Sequence, residues 1–365
     1  MAPPRIDALF SALISRKGSD LHLGIGVPPL VRVRGQLVAL RTTPIERDEM
    51  DALLLPILDG GQRARLDEEL ELDFAYALSG DTPGSVLARF RGNMFNKITG
   101  KAAVFRLIPT VIASLEELHC PPAIRRLAER RTGLCLVTGP TGSGKSTTLA
   151  AMIRHINETR ACHVLTIEDP IEFVHEALQA QITQRQIGDH APSFAAALAA
   201  AGREDADVIL VGELRTNETM KLALQLAGFG VLVFGTLHTN GAAPTVDRVL
   251  NAFPAEEQPQ VRGLLAECLI GVVAQQLLAT ADGAGRVAAH EILLGSSALA
   301  AIIREGRTYQ IPSLIQSGQG QGMQTMDLAL EKLAKLGKVT AETALEKASD
   351  REMLARALKA EAFPA

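Results

Sequence analysis

The sequence predicts an α/β protein in two parts: a small N-terminal α+β domain, then a larger domain built on a parallel sheet with a helical C-terminal extension. Three observations predict it. Segments of alternating polarity dominate the start of the chain. Four continuous apolar runs, 134–138, 164–167, 208–211 and 232–234, follow further on, separated by helical or polar stretches. A glycine-rich loop stands directly after the first of those runs. Continuous apolar runs suit strands buried on both faces, the condition of a parallel sheet covered by helices.

In order along the chain, Ile6, Leu9, Phe10, Leu13 and Ile14 recur at helical spacing, and Lys17 with Gly18 ends that helix. Leu21 and Leu23 flank His22. Leu30, Val31 and Val33 alternate with Arg32 and Arg34 before a turn at Gly35, the pattern of a half-buried hairpin. A helical stretch near 46–55 precedes three more strand-like segments, 71–78, 85–93 and 102–108, which make residues 1–108 an α+β domain with an antiparallel sheet. Pro109, Pro121 and Pro122 mark 109–121 as a linker, leaving 122–365 for the second domain. From Ala255 onward helical periodicity takes over as a C-terminal bundle, interrupted by one strand near 287–292.

Composition narrows the function. A chain of 365 residues with 47% hydrophobic and 21% charged residues is an ordinary folded protein, which excludes global disorder and a fibrous repeat. The formal net charge of -4 offers no broad basic face, so nucleic acid is not expected as a partner. Cys120, Cys135, Cys162 and Cys268 are scattered singly, giving neither a zinc-binding pair nor a disulfide framework, and point to a reducing compartment. Pro3, Pro4, Arg5 and Asp7 precede any apolar stretch, unlike a secretory signal. No run approaches the ~18 apolar residues of a membrane span, so the expectation is a cytoplasmic protein that reaches a membrane through partners.

The chemistry concentrates at strand ends. Gly139, Pro140, Thr141, Gly142, Ser143, Gly144, Lys145 and Ser146 fit G-x-x-x-x-G-K-[ST] between the strand 134–138 and a helix-compatible stretch that begins at Thr147. Such glycines let successive backbone N–H groups turn inward around an anion, and a helix N-terminus adds its partial positive charge at the same point. Pro140 through Thr147 are therefore the candidate ATP contacts, with Lys145 facing the β and γ phosphates and the Ser146 hydroxyl on Mg2+. The run 208–211 leads through Gly212 to Glu213, an acid beside the Mg2+ and the attacking water, although Gly212 stands where most P-loop enzymes carry a metal-associated Asp. Glu168, Asp169 and Glu172 offer three carboxylates after 164–167, at the C-terminal strand ends where such sheets bind ligands. His238, after 232–234, is a candidate sensor of the γ-phosphate or the water.

Taken together, these motifs resemble the type II/IV secretion ATPase superfamily, most closely its PilT-type pilus retraction motors. Ser19 to Leu23 with Gly26 to Pro29, Thr166 to Phe173, Val211 to Glu213 with the family's own Gly, and Gly235 to Thr239 carry the resemblance, and further matches run to Asp327. The resemblance implies a PAS-like N-terminal domain, a RecA-like P-loop ATPase core and a helical C-terminal extension. It makes Glu172 the catalytic carboxylate and Glu213 a ligand or water-mediated partner of Mg2+. Arg89, Arg91 and Arg106 become arginine fingers that swing onto the phosphates as the domains close. It further implies a homo-hexamer, peripheral to the inner membrane through a pilus platform protein, sharing its work with a second retraction or extension ATPase. Export and extension motors usually carry a tetracysteine zinc insertion, absent here, which favours retraction.

The chain departs from the family at Ala199, Thr216, Gly228, Val231, Ala300 and Ala301. Those substitutions bear on turnover and retraction and leave the P-loop whole. They admit, as alternatives, a weakly active accessory motor of the PilU kind or a nucleotide-binding structural subunit.

Overall fold

The computed structural model describes residues 6–33, 35–80, 86–108 and 111–359. Pro3, Pro4, Arg5, Arg34, Ser85 and Pro109, used in the sequence reading, lie outside the described residues. The chain forms two compact units, one running to Val111 and including Pro170–Val174, the other holding Ile112–Asp169 and the chain from His175 on.

In the first unit, helix α1 (Ile6–Ser15) buries Ile6, Phe10 and Leu13 on one face. Six strands follow around two further helices: β1 (Asp20–Gly24), β2 (Leu30–Val33), β3 (Gln36–Ala39), α2 (Arg47–Leu54), α3 (Gly60–Glu69), β4 (Glu71–Ser79), β5 (Val86–Lys97) and β6 (Gly100–Ile108). They form one sheet in the order β3-β2-β1-β6-β5-β4, every pair antiparallel.

Because side chains alternate across a strand, the register sorts residues into rows on opposite faces. One row runs Val31, Leu21, Phe105, Gly92, Phe74. It is the core row, in which Val31, Leu21 and Phe105 are fully buried. The next row runs Arg32, Asp20, Arg106, Arg91 on the other face. Arg89, two residues before Arg91, shares that face.

Gly92 is a glycine because of its neighbours. The Phe74 and Phe105 rings meet edge to face over it, centroids 5.9 Å apart. A Cβ at position 92 would stand 2.7 Å from Phe74 Cε1 and 2.8 Å from Phe105 Cε1.

In the second unit, seven strands take the order β13-β12-β7-β11-β10-β8-β9. They are β7 (Gly133–Thr138), β8 (His163–Glu168), β9 (Gln181–Gln186), β10 (Val208–Val211), β11 (Leu232–Leu237), β12 (Leu269–Ala279) and β13 (Arg286–Leu294). Pairing is parallel throughout except between β12 and β13. The apolar runs are continuous because both faces are covered. Leu134 and Leu136 enter one core, with Ile209, Val211 and Val233, while Cys135 and Val137 enter another, with Val208, Leu210 and Phe234.

Helices α4 (Pro122–Ala128) and α5 (Lys145–Thr159) cover the second of these cores. The first is covered by α6 (Phe194–Ala201), α7 (Asn217–Gly228), α8 (Ala242–Asn251), α9 (Gln258–Cys268), α10 (Ser297–Arg304) and α11 (Ile311–Ser317). Helices α12 (Met326–Lys335), α13 (Ala341–Lys347) and α14 (Arg351–Lys359) pack on the ends of β12 and β13 through Leu278 and Ala289.

Two segments differ from the sequence reading. The C-terminal region holds a strand besides the one expected near 287–292: Leu269–Ala279 is a core strand beside β7, hidden in the sequence because α9 ends at Cys268 with no turn residue before the strand begins. Leu115, placed in the expected linker, is buried in the second unit's core, with Leu118 and Cys120 packed beside it.

Gly92→Ala is expected to destabilise the first unit by about 1–3 kcal/mol, the cost of forcing extra volume into a packed core. Loss of amide protection in β5 and β6 under native-state hydrogen exchange measures it, and unchanged protection would refute the packing argument.

Candidate active site

The loop between β7 and α5 is built by three glycines that only glycine accommodates comfortably. Gly139, Gly142 and Gly144 take φ of 143°, 79° and 89°. The chain thereby wraps over the start of α5, where Gly144 is the N-cap and no side chain caps the first turn. Those first-turn N–H groups and the loop amides form an anion cradle.

Lys145 closes the cradle. It is 9% exposed, and its Nζ donates to the carbonyls of Gly139 at 2.8 Å and Pro140 at 3.0 Å. Pro140, Thr141, Gly142 and Ser146 are exposed on the rim and Thr147 is half-buried, whereas the Ser143 side chain is buried, so its contribution to the rim is backbone.

Sequence reasoning missed the residue that holds this loop in place. Gln275 on β12 is 2% exposed; its Nε2 donates to the Ser143 carbonyl at 2.7 Å and its Oε1 accepts from Thr148 Oγ1 at 2.8 Å. The fit is close, since a Cβ at Gly139 would stand 2.2 Å from the Gln275 carbonyl oxygen. Two consecutive glutamines within an apolar run were the only signal available. Directly opposite on β13, His290 is buried, and that burial pushes its pKa down to about 4, so the neighbour of Gln275 is neutral at pH 7.

On the other side of β7, strands β10 and β11 bring their ends together. Thr236 Oγ1 donates to the Gly212 carbonyl, and the Leu214 N–H donates to the Thr236 carbonyl at 3.0 Å. Beyond these, Glu213 Oε1 lies 3.3 Å from His238 Nε2, and Glu213 Oε2 lies 2.9 Å from Arg215 Nη2. Burial acts to raise the Glu213 pKa, but the hydrogen bond and charge of Arg215, with His238, outweigh it and hold the carboxyl below its usual range.

Gly212 also has a steric reason. A Cβ there would stand 3.3 Å from both Glu168 Cα and the Ile167 carbonyl oxygen, leaving little room for a larger residue. At the end of β8, Glu168 Oε1 accepts from Thr166 Oγ1 at 2.7 Å and from Gln184 Nε2 at 3.4 Å, which gives this carboxylate a structural occupation.

The remaining candidates lie in the first unit. Glu172 is half-buried between buried Ile171 and Phe173, in the segment that groups there. Arg91 and Arg106 face each other across β5 and β6. Arg106 Nε donates to Asp20 Oδ1 at 2.9 Å, and Arg91 lies 3.8 Å from Asp73. Arg106 is thus tied to an almost buried carboxylate, while Arg91 is held only loosely.

Among the described residues, no group of three or more His, Cys, Asp or Glu side chains is placed to hold a metal. Among the described residues, no helix is long and apolar enough to cross a membrane.

Residues 86–309 match the family model described as type II/IV secretion system protein. The chain is 49% identical over 326 residues to the twitching motility protein of Neisseria gonorrhoeae, covering 89% of this chain and 86% of that one. It is 47% identical over 343 residues to the type IV pilus retraction ATPase PilT of Pseudomonas aeruginosa, covering 94% and 98%. The crystal structure of the pilus retraction motor PilT with bound ADP superposes with a TM-score of 0.87 at 41% identity, covering 96% of this chain and 99% of that one.

Gln275→Leu is expected to cost about 2 kcal/mol, because it leaves a buried carbonyl and a buried hydroxyl without partners. The denaturant midpoint of the second unit measures this. An unchanged midpoint would remove Gln275 from its bracing role.

Proposed function

The chain belongs to the type II/IV secretion system protein family, and from that membership we propose that it is an ATP-hydrolysing motor of the pilus-retraction kind, working as a homo-hexameric ring. The observation that carries the reading is the anion cradle at the end of β7 with Lys145 enclosed in it, one strand away from the Glu213–His238 pair.

The residues present fit a nucleoside triphosphate with Mg2+: three loop glycines at positive φ bend the chain over the start of α5, a lysine there donates to two carbonyl oxygens, and an exposed serine stands in the first turn of the helix. Loop amides take the β and γ phosphates, and Lys145 exchanges its two carbonyl partners for phosphate oxygens. Ser146 and Glu213 would hold Mg2+, which when bound would supply positive charge against the phosphates.

Water attacks the γ-phosphorus in line. A new P–O bond forms, the bond to the β–γ bridging oxygen breaks, and Glu172 receives the proton. Arg89, Arg91 and Arg106 offset the charge that spreads over the phosphoryl oxygens, and His238 reports its departure through Glu213. Catalysis of this kind is mostly positioning and electrostatic stabilisation, so removing one oriented group slows turnover without abolishing binding. The ring's mechanical output acts on a pilus platform protein of the inner membrane, alongside a second retraction or extension ATPase.

Steady-state ATP turnover with the mass of the assembled ring tests the reading. Restoration of surface motility in a host lacking its own retraction ATPase tests its direction. A protein that neither turns over ATP nor restores motility would overturn it.

Lys145→Ala is expected to weaken ATP binding and abolish turnover, whereas Glu172→Gln keeps ATP and Mg2+ bound and loses chemistry. Equilibrium nucleotide binding measured beside turnover separates the two, and equal loss of affinity in both variants would make Glu172 structural. Arg91→Ala is expected to lower turnover ~10³-fold, the lower end of the arginine-finger range, with folding intact. Wild-type turnover in that variant would move the role to Arg89 or Arg106.

A further inference from the structure

Thr245, on α8, is fully buried, and its hydroxyl stands where three segments meet. Its Oγ1 lies 2.6 Å from the Gly241 carbonyl oxygen, 2.6 Å from Thr239 Oγ1 and 3.3 Å from Thr138 Oγ1. A hydroxyl has one proton to give and two lone pairs to receive with. Its proton has two acceptors within reach, the Gly241 carbonyl and Thr138 Oγ1, and its lone pairs can receive Thr239. When it donates to Thr138 instead, the Gly241 carbonyl keeps the Thr245 backbone N–H at 3.2 Å. The node therefore has two donor arrangements, and in each the Gly241 carbonyl keeps a partner.

The segments that meet there belong to the site. Thr138 immediately precedes Gly139, whose carbonyl holds Lys145. Thr239 immediately follows His238, which pairs with Glu213. The helix carrying Thr245 is itself anchored, since the Ala242 N–H at its start donates to Glu291 Oε1 at 2.7 Å on β13. One fixed hydroxyl therefore joins the end of β7 to the segment after β11.

We propose that Thr245 is a positioning residue that couples the phosphate loop to His238, an inference that rests on the reading of this site as an ATPase. When Lys145 leaves the Gly139 carbonyl for a phosphate, the end of β7 shifts against the shared hydroxyl. Thr239 then re-pairs, and His238 moves with it relative to Glu213. Coupling through one bonded node with two discrete arrangements needs no larger movement. The apolar contacts of Thr245 do not require its hydroxyl, so valine, of the same shape, separates packing from hydrogen bonding.

The experiment compares wild type, Thr245→Val and Thr245→Ser in the full-length protein. Three readouts are taken: steady-state ATP turnover, ADP affinity by calorimetry, and hydrogen exchange of residues 239–246 with and without ADP. The expected result is a fall in kcat of about tenfold for Thr245→Val, within the span of ordinary coupling free energies. ADP affinity stays within about twofold on the same scale of effects. ADP-induced protection of 239–246 is lost in Thr245→Val, and Thr245→Ser restores both kcat and protection.

Wild-type kcat and protection in Thr245→Val would overturn the proposal. So would loss of affinity and melting temperature together without rescue by serine, which describes a structural residue. Should Thr245→Val fail to fold, Thr239→Val, at a half-buried position, removes one arm of the node and must give the same split between kcat and affinity. A wild-type protein without ATP turnover would count against the ATPase reading alone, and the exchange comparison would still decide the coupling.

Discussion

The parallel pairing of β12 with β7 is the constraint on which the active region depends. It sets Gln275 directly beneath the phosphate loop, where one carboxamide satisfies a loop carbonyl and a hydroxyl of α5 at once. The loop glycines leave the backbone free to adopt many conformations, and this pair of buried bonds selects one of them. With the loop so held, the Lys145 amine donates to two loop carbonyls, neutral acceptors that are weaker partners for it than a charged phosphate.

The same sheet places a second polar cluster one strand further along. Glu213 is kept ionised by Arg215 and His238 against the effect of its own burial. A charged carboxylate and a histidine in contact can respond to a change of charge nearby, whereas an isolated buried acid would simply neutralise. Threonines knit the two clusters together: Thr236, near the end of β11, binds it to β10, and Thr245, on α8, joins β7 to the chain beyond β11.

In the first unit, the arginines and the aromatic core are two consequences of one alternation. Phe90 and Phe105 point into the core and stack around Phe10, so Arg89, Arg91 and Arg106 must present on the opposite face. Gly92 completes the core row by yielding its volume to the Phe74 and Phe105 rings. Within the arginine row, Asp20 engages Arg106 and lies 4.0 Å from Arg32, which leaves Arg91 the less committed cation.

The sequence by itself determined whatever depends on residues near one another in the chain. The phosphate loop was legible because its glycines, lysine and serine are contiguous and its backbone geometry is local. The four apolar runs read as buried strands because two covered faces leave no polar alternation, and the helix Phe194–Ala201 and the antiparallel pairs of the first unit followed from local periodicity.

Tertiary structure decided the rest. Gln275 lies 132 positions along the chain from the carbonyl it binds, and no local pattern distinguishes it from Gln276 beside it. Strand β12 went unread because it continues α9 without a turn, and a run of apolar residues alone does not say whether it is helix or strand. The short segment with Glu172 groups with the first unit although it follows a strand of the second. Which hydroxyl meets which carbonyl, as at Thr245, depends on how distant strand ends are stacked, and stacking is set by the packing of whole faces rather than by neighbours in the chain.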